Sequence, residues 1–203
     1  MSHFAKQTFD KMVAAIDLCR SQGLDVPMLT LNYTLLDALA WAAYGGAMSG
    51  VKDRFIHFCE QHLLPGSSLD CAALDLYAAR CSTLHTLGWE SDLSRNGKAK
   101  SMAYSFGTDD AVVTQQVLER VAPGRFVTIK ADLLVRATQA AVHQIRALAN
   151  SNEALKERLA VADGKGYKTL ATNDAASLFS EFLRSTNPSG SISAQVKSDE
   201  PNA

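Results

Sequence analysis

The sequence predicts a mainly α-helical protein, an antiparallel helical bundle with a small two-stranded β addition. Apolar residues recur at the three-and-four spacing of one helical face through most of the first 90 residues and again after residue 132. The predicted loops between helices are short, which favours antiparallel neighbours. Alternation at Met102, Tyr104 and Phe106, together with the β-prone run 126–129, indicates two short strands.

Four helices are predicted before residue 90, and each ends at a glycine or a proline. These breakers are, in chain order, Gly23, Gly45, Pro65 and Gly88. Ser67 and Asp70 resemble a capping box and are expected to start the fourth helix. The predicted ranges are 4–22, 27–44, 49–64 and 67–88.

Beyond residue 90 the pattern changes and then returns to helices. A helix predicted at 108–120 separates the two strands, so we expect a β-hairpin-like addition whose strands pair across an insertion rather than a tight turn. Helices at 132–149 and 151–161 complete a helical domain predicted to span residues 1–165. A short amphipathic helix is predicted within 166–184, and the polar segment 185–203 is predicted to be disordered.

The composition limits where the protein works and what it binds. The chain has 203 residues with 20 basic and 21 acidic side chains, so the net charge of −1 gives no global signal for nucleic acid. No segment resembles an export signal, and no apolar run reaches the ~20 residues needed to span a bilayer. The four cysteines lie within helical patterns, which favours reduced thiols. We therefore expect a cytoplasmic protein that does not enter a membrane.

The strongest candidate for chemistry is the pair Arg80 and His85 in the fourth predicted helix. A guanidinium can hold a phosphate, and an imidazole titrates near neutral pH. Together they are the minimum set for cutting RNA without a metal, with the ribose 2′-OH as the nucleophile. His85 would take the 2′ proton or give one to the leaving 5′ oxygen, while Arg80 would stabilise the charge on the phosphorane oxygens. The products would carry 2′,3′-cyclic phosphates.

The segment Arg80-Cys81-Ser82-Thr83-Leu84-His85 resembles the signature of the HEPN family, the higher eukaryotes and prokaryotes nucleotide-binding proteins. In that signature an arginine and a histidine lie near the end of a helix, separated by a few residues. The wider segments 75–80, 85–86 and 90–99 are similar to a plasmid-borne HEPN subfamily. Many active members place Asn, Asp or His directly after the arginine, where this chain has Cys81.

The resemblance implies a helical bundle that forms a homodimer, in which two copies of the motif face one cleft. It also implies that the protein is a metal-independent endoribonuclease of toxin or defence type, with RNA as its substrate and an antitoxin or another regulatory protein as a partner. The family contains inactive nucleotide-binding members as well. The alternative function is therefore a non-catalytic helical module that binds nucleotides, RNA or another protein.

Helix geometry bears on whether the two residues of the motif can act together. Side chains five residues apart point about 140° apart on an ideal helix. Arg80 and His85 are therefore expected to share one phosphate only if the helix end unwinds or a second subunit supplies one of them. His85 also lies on the apolar stripe of Leu74, Ala78 and Cys81, and the alternative to a catalytic histidine is a hydrogen-bonded core histidine.

Three further residues are predicted to support the motif. Asp37 is the one charge in the apolar stretch 35–44, and Arg80 is its expected partner, either for orienting the guanidinium or as a structural ion pair. Tyr77, one turn before Arg80, is a candidate for stacking on a base, with core packing as the alternative. Cys81 follows the arginine within the motif.

A basic loop comes shortly after the motif. Arg95, Lys98 and Lys100 lie around Gly97 and could follow a phosphate backbone. The alternative is an ordinary solvated surface loop.

No cofactor and no metal are predicted. The GxGxxG and GxxxxGK[ST] phosphate loops do not occur in the sequence. A rival zinc site would combine residues of the third and fourth predicted helices, namely His57, Cys59, His62, Cys81 and His85. Because neither a CxxC pair nor HExxH occurs, buried thiols are the expected explanation of these cysteines.

Overall fold

The computed structural model describes residues 7–164. This part is mainly helical and contains one small two-stranded sheet, which confirms that much of the predicted fold class. The helix predicted within 166–184 and the tail predicted at 185–203 lie outside the described residues, as does the predicted helix start at residue 4. The elements are α1 (Gln7–Ser21), α2 (Asp25–Tyr44), α3 (Val51–Phe58), a π-helical turn (Cys59–Leu63), α4 (Ala73–Thr86), α5 (Asp92–Arg95), β1 (Ser101–Ser105), α6 (Ala111–Val121), β2 (Phe126–Lys130), α7 (Ala131–Ala149) and α8 (Glu153–Gly164).

The central helix of the core is α2. It packs against α1, α3, α4, α7 and α8. Because so many neighbours surround it, its buried residues are spread around much of its circumference; Tyr33, Leu35 and Leu36 have no exposed surface. Within residues 7–164, no helix combines the length and the apolar character that crossing a membrane requires.

The third predicted helix does not continue as one α-helix to residue 64. After α3 the chain forms the π-helical turn, in which Cys59 and Leu63 are both buried. A π turn holds one residue more than an α turn, and such turns are frequent at functional sites.

The fourth predicted helix begins later than expected, at Ala73 instead of residue 67. Asp75 rather than Ser67 acts as the cap, because its Oδ2 accepts a hydrogen bond from the backbone N–H of Ala72 at 3.2 Å. The Ser67 hydroxyl instead donates to the carbonyl of Leu64 at 2.9 Å, within the preceding turn. At the other end of α4, Leu87 has a φ of 50°, in the left-handed region.

The two strands pair in parallel, with Met102 opposite Val127 and Tyr104 opposite Ile129. The prediction of a hairpin-like addition is therefore wrong in strand direction, whereas pairing across an insertion is confirmed. Strand direction follows from the connection: α6 carries the chain back, so that β2 starts at the same end of the sheet as β1. No residue of α6 is buried.

Candidate functional site

Arg80 and His85 contact each other within one chain. The Arg80 Nη1 atom lies 3.3 Å from the His85 Nε2 atom. A guanidinium nitrogen only donates hydrogen bonds, so Nε2 is the acceptor in this contact. The expectation that helix geometry separates the two groups is wrong. On an ideal helix the two Cβ directions are roughly 140° apart. The long arginine side chain nevertheless extends along α4 far enough to contact His85.

His85 is exposed to solvent. A core histidine, which was the alternative from its position on the apolar stripe, is therefore ruled out. The ring sits on the last turn of α4, where Thr86 and Leu87 are exposed as well. An imidazole in this position can exchange protons with a bound substrate or with water.

Asp37 of α2 holds the Arg80 guanidinium from the other side. Arg80 Nη2 donates a hydrogen bond to Asp37 Oδ2, which confirms the pairing expected from the sequence. The two side chains are 13% and 25% exposed, so the ion pair is shielded from most of the solvent. Burial acts to lower the pKa of Arg80, but its hydrogen bonds and charge interactions with Asp37 and Cys81 outweigh this, and the pKa lies above its usual value.

The Arg80 guanidinium keeps donor capacity beyond its contacts with His85, Asp37 and Cys81. Its Nε is buried and has no hydrogen-bond partner among the described residues. A guanidinium has five N–H donors arranged in a planar fork, and the bonds to His85, Asp37 and Cys81 do not use all of them. Asp37 fixes the fork on one side, so the remaining N–H groups are held in a defined direction beside His85.

Tyr77 and Cys81 lie on the same face of α4 but make different contacts. The Tyr77 ring packs against Phe55 with its centroid 5.7 Å away, and the residue is half-buried. Burial and a hydrogen bond to Cys81 raise the pKa of the Tyr77 hydroxyl. These contacts favour core packing for Tyr77, and they leave Cys81 as a neighbour of both Arg80 and Tyr77.

The basic loop forms a groove of its own. Arg95, Lys98 and Lys100 are exposed and line a cavity of about 700 Å³, together with Arg125 from the segment before β2. Asp75 holds the loop against α4, because its Oδ1 accepts a hydrogen bond from the backbone N–H of Lys100 at 2.7 Å. Neither residue of the Arg80–His85 pair lines this groove. The structure thus brings the three predicted basic residues together, but not into one cavity with the pair.

An aromatic stack that the sequence did not suggest lies next to this groove. Trp89, which is 57% exposed, stacks on Phe126 with ring centroids 5.5 Å apart and an angle of 24° between the planes. Both rings line a second, apolar cavity of about 580 Å³ between α2, α4, α6 and the sheet. Trp89 and Phe126 are far apart in sequence, and no local pattern links them.

The residues of the rival zinc site do not converge. His62 Nε2 is hydrogen-bonded to the Tyr44 hydroxyl at 2.7 Å, and the His57 ring packs edge-on against the ring of Tyr44. Burial raises the pKa of the Cys59 thiol far above its ordinary value, which disfavours the thiolate that a metal requires. Among residues 7–164, no three His, Cys, Asp or Glu side chains are placed to share a metal ion.

Comparison of the chain with models of known families, with curated proteins and with solved structures gave no significant match. The resemblance to HEPN proteins is one of motif, and the chemistry available to the chain is set by the geometry of Arg80, His85 and Asp37.

Proposed function

We propose that this protein is a metal-independent endoribonuclease of HEPN type. The observation that carries the proposal is the contact between an exposed His85 and an Arg80 that Asp37 holds in place. A fixed cation next to a solvent-accessible imidazole is the combination that phosphoester cleavage without a metal requires.

In the proposed reaction the scissile phosphate enters between the two side chains. A non-bridging phosphate oxygen replaces His85 Nε2 as the acceptor for Arg80 Nη1, which frees the imidazole lone pair. Nε2 then takes the proton of the ribose 2′-OH as O2′ attacks phosphorus. The O2′–P bond forms, the P–O5′ bond breaks, and a proton passes from an imidazolium to the leaving O5′. Arg80 stabilises the extra negative charge of the phosphorane.

The proposal includes the remaining properties that the resemblance implies. They are a HEPN-like antiparallel bundle, a homodimer whose two motifs face one cleft, a cytoplasmic location, and a toxin or defence role controlled by an antitoxin or another regulatory protein. In a homodimer, one His85 would serve as the base and the His85 of the second copy as the acid. Arg80 and His85 already meet within one chain, so the second copy would be needed for the acid and not for phosphate binding.

The test is incubation of purified protein with total RNA in the presence of EDTA, followed by analysis of fragment ends. Wild type is expected to cut, and His85→Ala and Arg80→Ala are expected to leave the RNA intact. His143→Ala is the matched control, because His143 is another exposed histidine, on α7. Intact RNA in every lane would instead support the non-catalytic binding module. Loss of folding in His85→Ala, measured by thermal melting, would show that the residue is structural.

A further inference from the structure

We infer that single-stranded RNA binds across the surface next to His85, with one base stacked on Trp89 and the neighbouring phosphates in the basic groove. This inference rests on the proposed function for the identity of the strand as RNA. It adds a binding track that is separate from the cleaving residues.

The first support is the geometry of the aromatic pair. Phe126 lies nearly parallel to Trp89 and backs one face of the indole, while 57% of Trp89 remains exposed. An indole fixed in this way offers a flat, preorganised face to a base. Stacking on aromatic side chains is the usual way in which proteins hold unpaired bases, and it tolerates any base because all have a π face.

The second support is that the stack and the basic groove are joined. Trp89 stacks on Phe126, and the residues next to them in sequence, Glu90 and Arg125, form an ion pair at 3.0 Å. Arg125 lines the groove. An RNA strand with one base stacked on Trp89 therefore lies next to the groove, because Arg125 of the groove directly precedes Phe126 of the stack.

The third support is the charge of the groove. Among the described residues, two carboxylates form ion pairs with the two arginines of the groove: Glu90 contacts Arg95 and Arg125, and Asp92 contacts Arg95. The third nearby carboxylate, Asp75, accepts backbone N–H groups from Ala72 and Lys100. The ammonium groups of Lys98 and Lys100 form no ion pair within the described part of the chain, so both can contact phosphates. With Glu90, Asp92 and Asp75 counted against the four basic side chains, the groove has a net charge of +1.

The fourth support is distance. His85 and Trp89 are four residues apart, so their Cα atoms are at most about 14 Å apart. The turn between them contains Leu87 with its φ of 50°, which directs the chain away from the helix axis. A base on Trp89 is thus held close to the proposed cleavage centre. A base inside a duplex cannot stack on an indole in this way, so single strands are the expected ligand.

The experiment uses the full chain with Trp41→Phe, which leaves Trp89 as the only tryptophan. The probe is a single-stranded, fully 2′-O-methylated RNA 12-mer, which lacks the nucleophile and cannot be cut. Saturable quenching of the indole emission is expected on titration. Trp89→Ala should bind about 5- to 150-fold more weakly by fluorescence anisotropy, the range for loss of one base–aromatic stack. Trp89→Phe, which keeps an aromatic face, should lie between.

The groove is tested by the salt dependence of binding. Lys98→Gln with Lys100→Gln should reduce the slope of log K against log salt concentration by about 1.4, because each phosphate contact contributes about 0.7 for a single strand. Lys11→Gln with Lys52→Gln is the matched control, since both lysines are exposed and lie outside the groove.

Three results would overturn the inference: unchanged emission, equal binding by Trp89→Ala, or equally tight binding of the same sequence as a duplex. The two proposals fail separately. Tight binding of the 12-mer by a protein that cuts no RNA contradicts the nuclease alone. Cleavage by Trp89→Ala with unchanged KM contradicts the binding track alone.

Discussion

The ion pair between Asp37 and Arg80 gives the most quantitative prediction, because both its energetic and its functional effects can be measured. Asp37→Ala removes the acceptor of a hydrogen bond between charged groups that are 25% and 13% exposed. Loss of such a bond costs about 1.5–3 kcal/mol. A fully buried pair broken on one side costs about 3–5 kcal/mol, and an exposed pair less than about 1 kcal/mol. We therefore expect Asp37→Ala to lower the free energy of unfolding by about 2 kcal/mol.

The assay is equilibrium unfolding in urea, analysed at constant m-value. Arg80→Met keeps the alkyl stem of the arginine and removes the charge, and the double variant Asp37→Ala/Arg80→Met closes a double-mutant cycle. The coupling energy is expected to be about 1–2 kcal/mol, because the double variant leaves no unpaired charge. Asp10→Ala is the matched control: Asp10 pairs with Arg146 at 2.7 Å, but the two side chains are 54% and 32% exposed.

The reasoning would be refuted if Asp37→Ala cost no more than Asp10→Ala, or if the two single changes were additive. Either result would mean that Asp37 does not hold the guanidinium. The nuclease proposal adds that RNA cleavage by Asp37→Ala should fall at temperatures where the variant is still fully folded. Full activity there would limit the ion pair to a structural role.

Four further predictions concern other parts of the fold. Tyr104→Phe leaves the hydroxyl of the fully buried Tyr33 without its hydrogen-bond partner, the Tyr104 hydroxyl at 2.6 Å. It should lower the free energy of unfolding, measured in urea, by about 1–3 kcal/mol. The double variant Tyr33→Phe/Tyr104→Phe should lower it by less, because no hydroxyl is left unpaired. Burial raises the pKa of Tyr33 well above 10.0. The contribution of this group to the free energy of unfolding is therefore fully present below pH 10 and falls as the pH rises further. Urea midpoints at pH 9 and pH 11 check the direction. Burial, with Asp75 and Asp70 nearby, raises the pKa of Cys71 from 9.0 to about 12. The smaller thiolate fraction outweighs the higher nucleophilicity of each thiolate, so this thiol should react with a disulfide reagent about 30- to 60-fold more slowly in the folded than in the unfolded protein, and equal rates would contradict the burial. Leu87→Gly removes the strain of a left-handed backbone at a residue that is 67% exposed, and it should stabilise the protein by about 0.5–1 kcal/mol. A lowered melting temperature of this variant would disprove the prediction.

The helices were the most predictable part of the fold, because the apolar spacing that reveals them also creates the core. The residues at which the helices begin and end were less predictable. Ser67 has the residue type of a helix cap, yet α4 starts at Ala73, since Asp75 can cap from inside the first turn and bind the loop at Lys100 as well. That choice depends on a partner 25 residues away, which local patterns do not contain.

The candidate site was predictable where a charged residue in an apolar segment required a partner of opposite charge. Asp37, a charge in an apolar stretch, required a cation, and Arg80 on a neighbouring helix provides it. The contact between Arg80 and His85 was missed because Cβ directions on a helix do not describe the reach of an arginine. Trp89 and Phe126 were missed because only the parallel pairing of β1 and β2 brings the second ring to the first.

The most direct test of the central claim is cleavage of one defined RNA oligonucleotide in EDTA, with the fragments identified by mass. Wild type is predicted to yield a 2′,3′-cyclic phosphate and a 5′-hydroxyl, and a single 2′-deoxy substitution at the cleaved nucleotide is predicted to abolish the cut. Cleavage that persists in the 2′-deoxy oligonucleotide, or in His85→Ala, would contradict the assignment of Arg80 and His85 as the reacting pair.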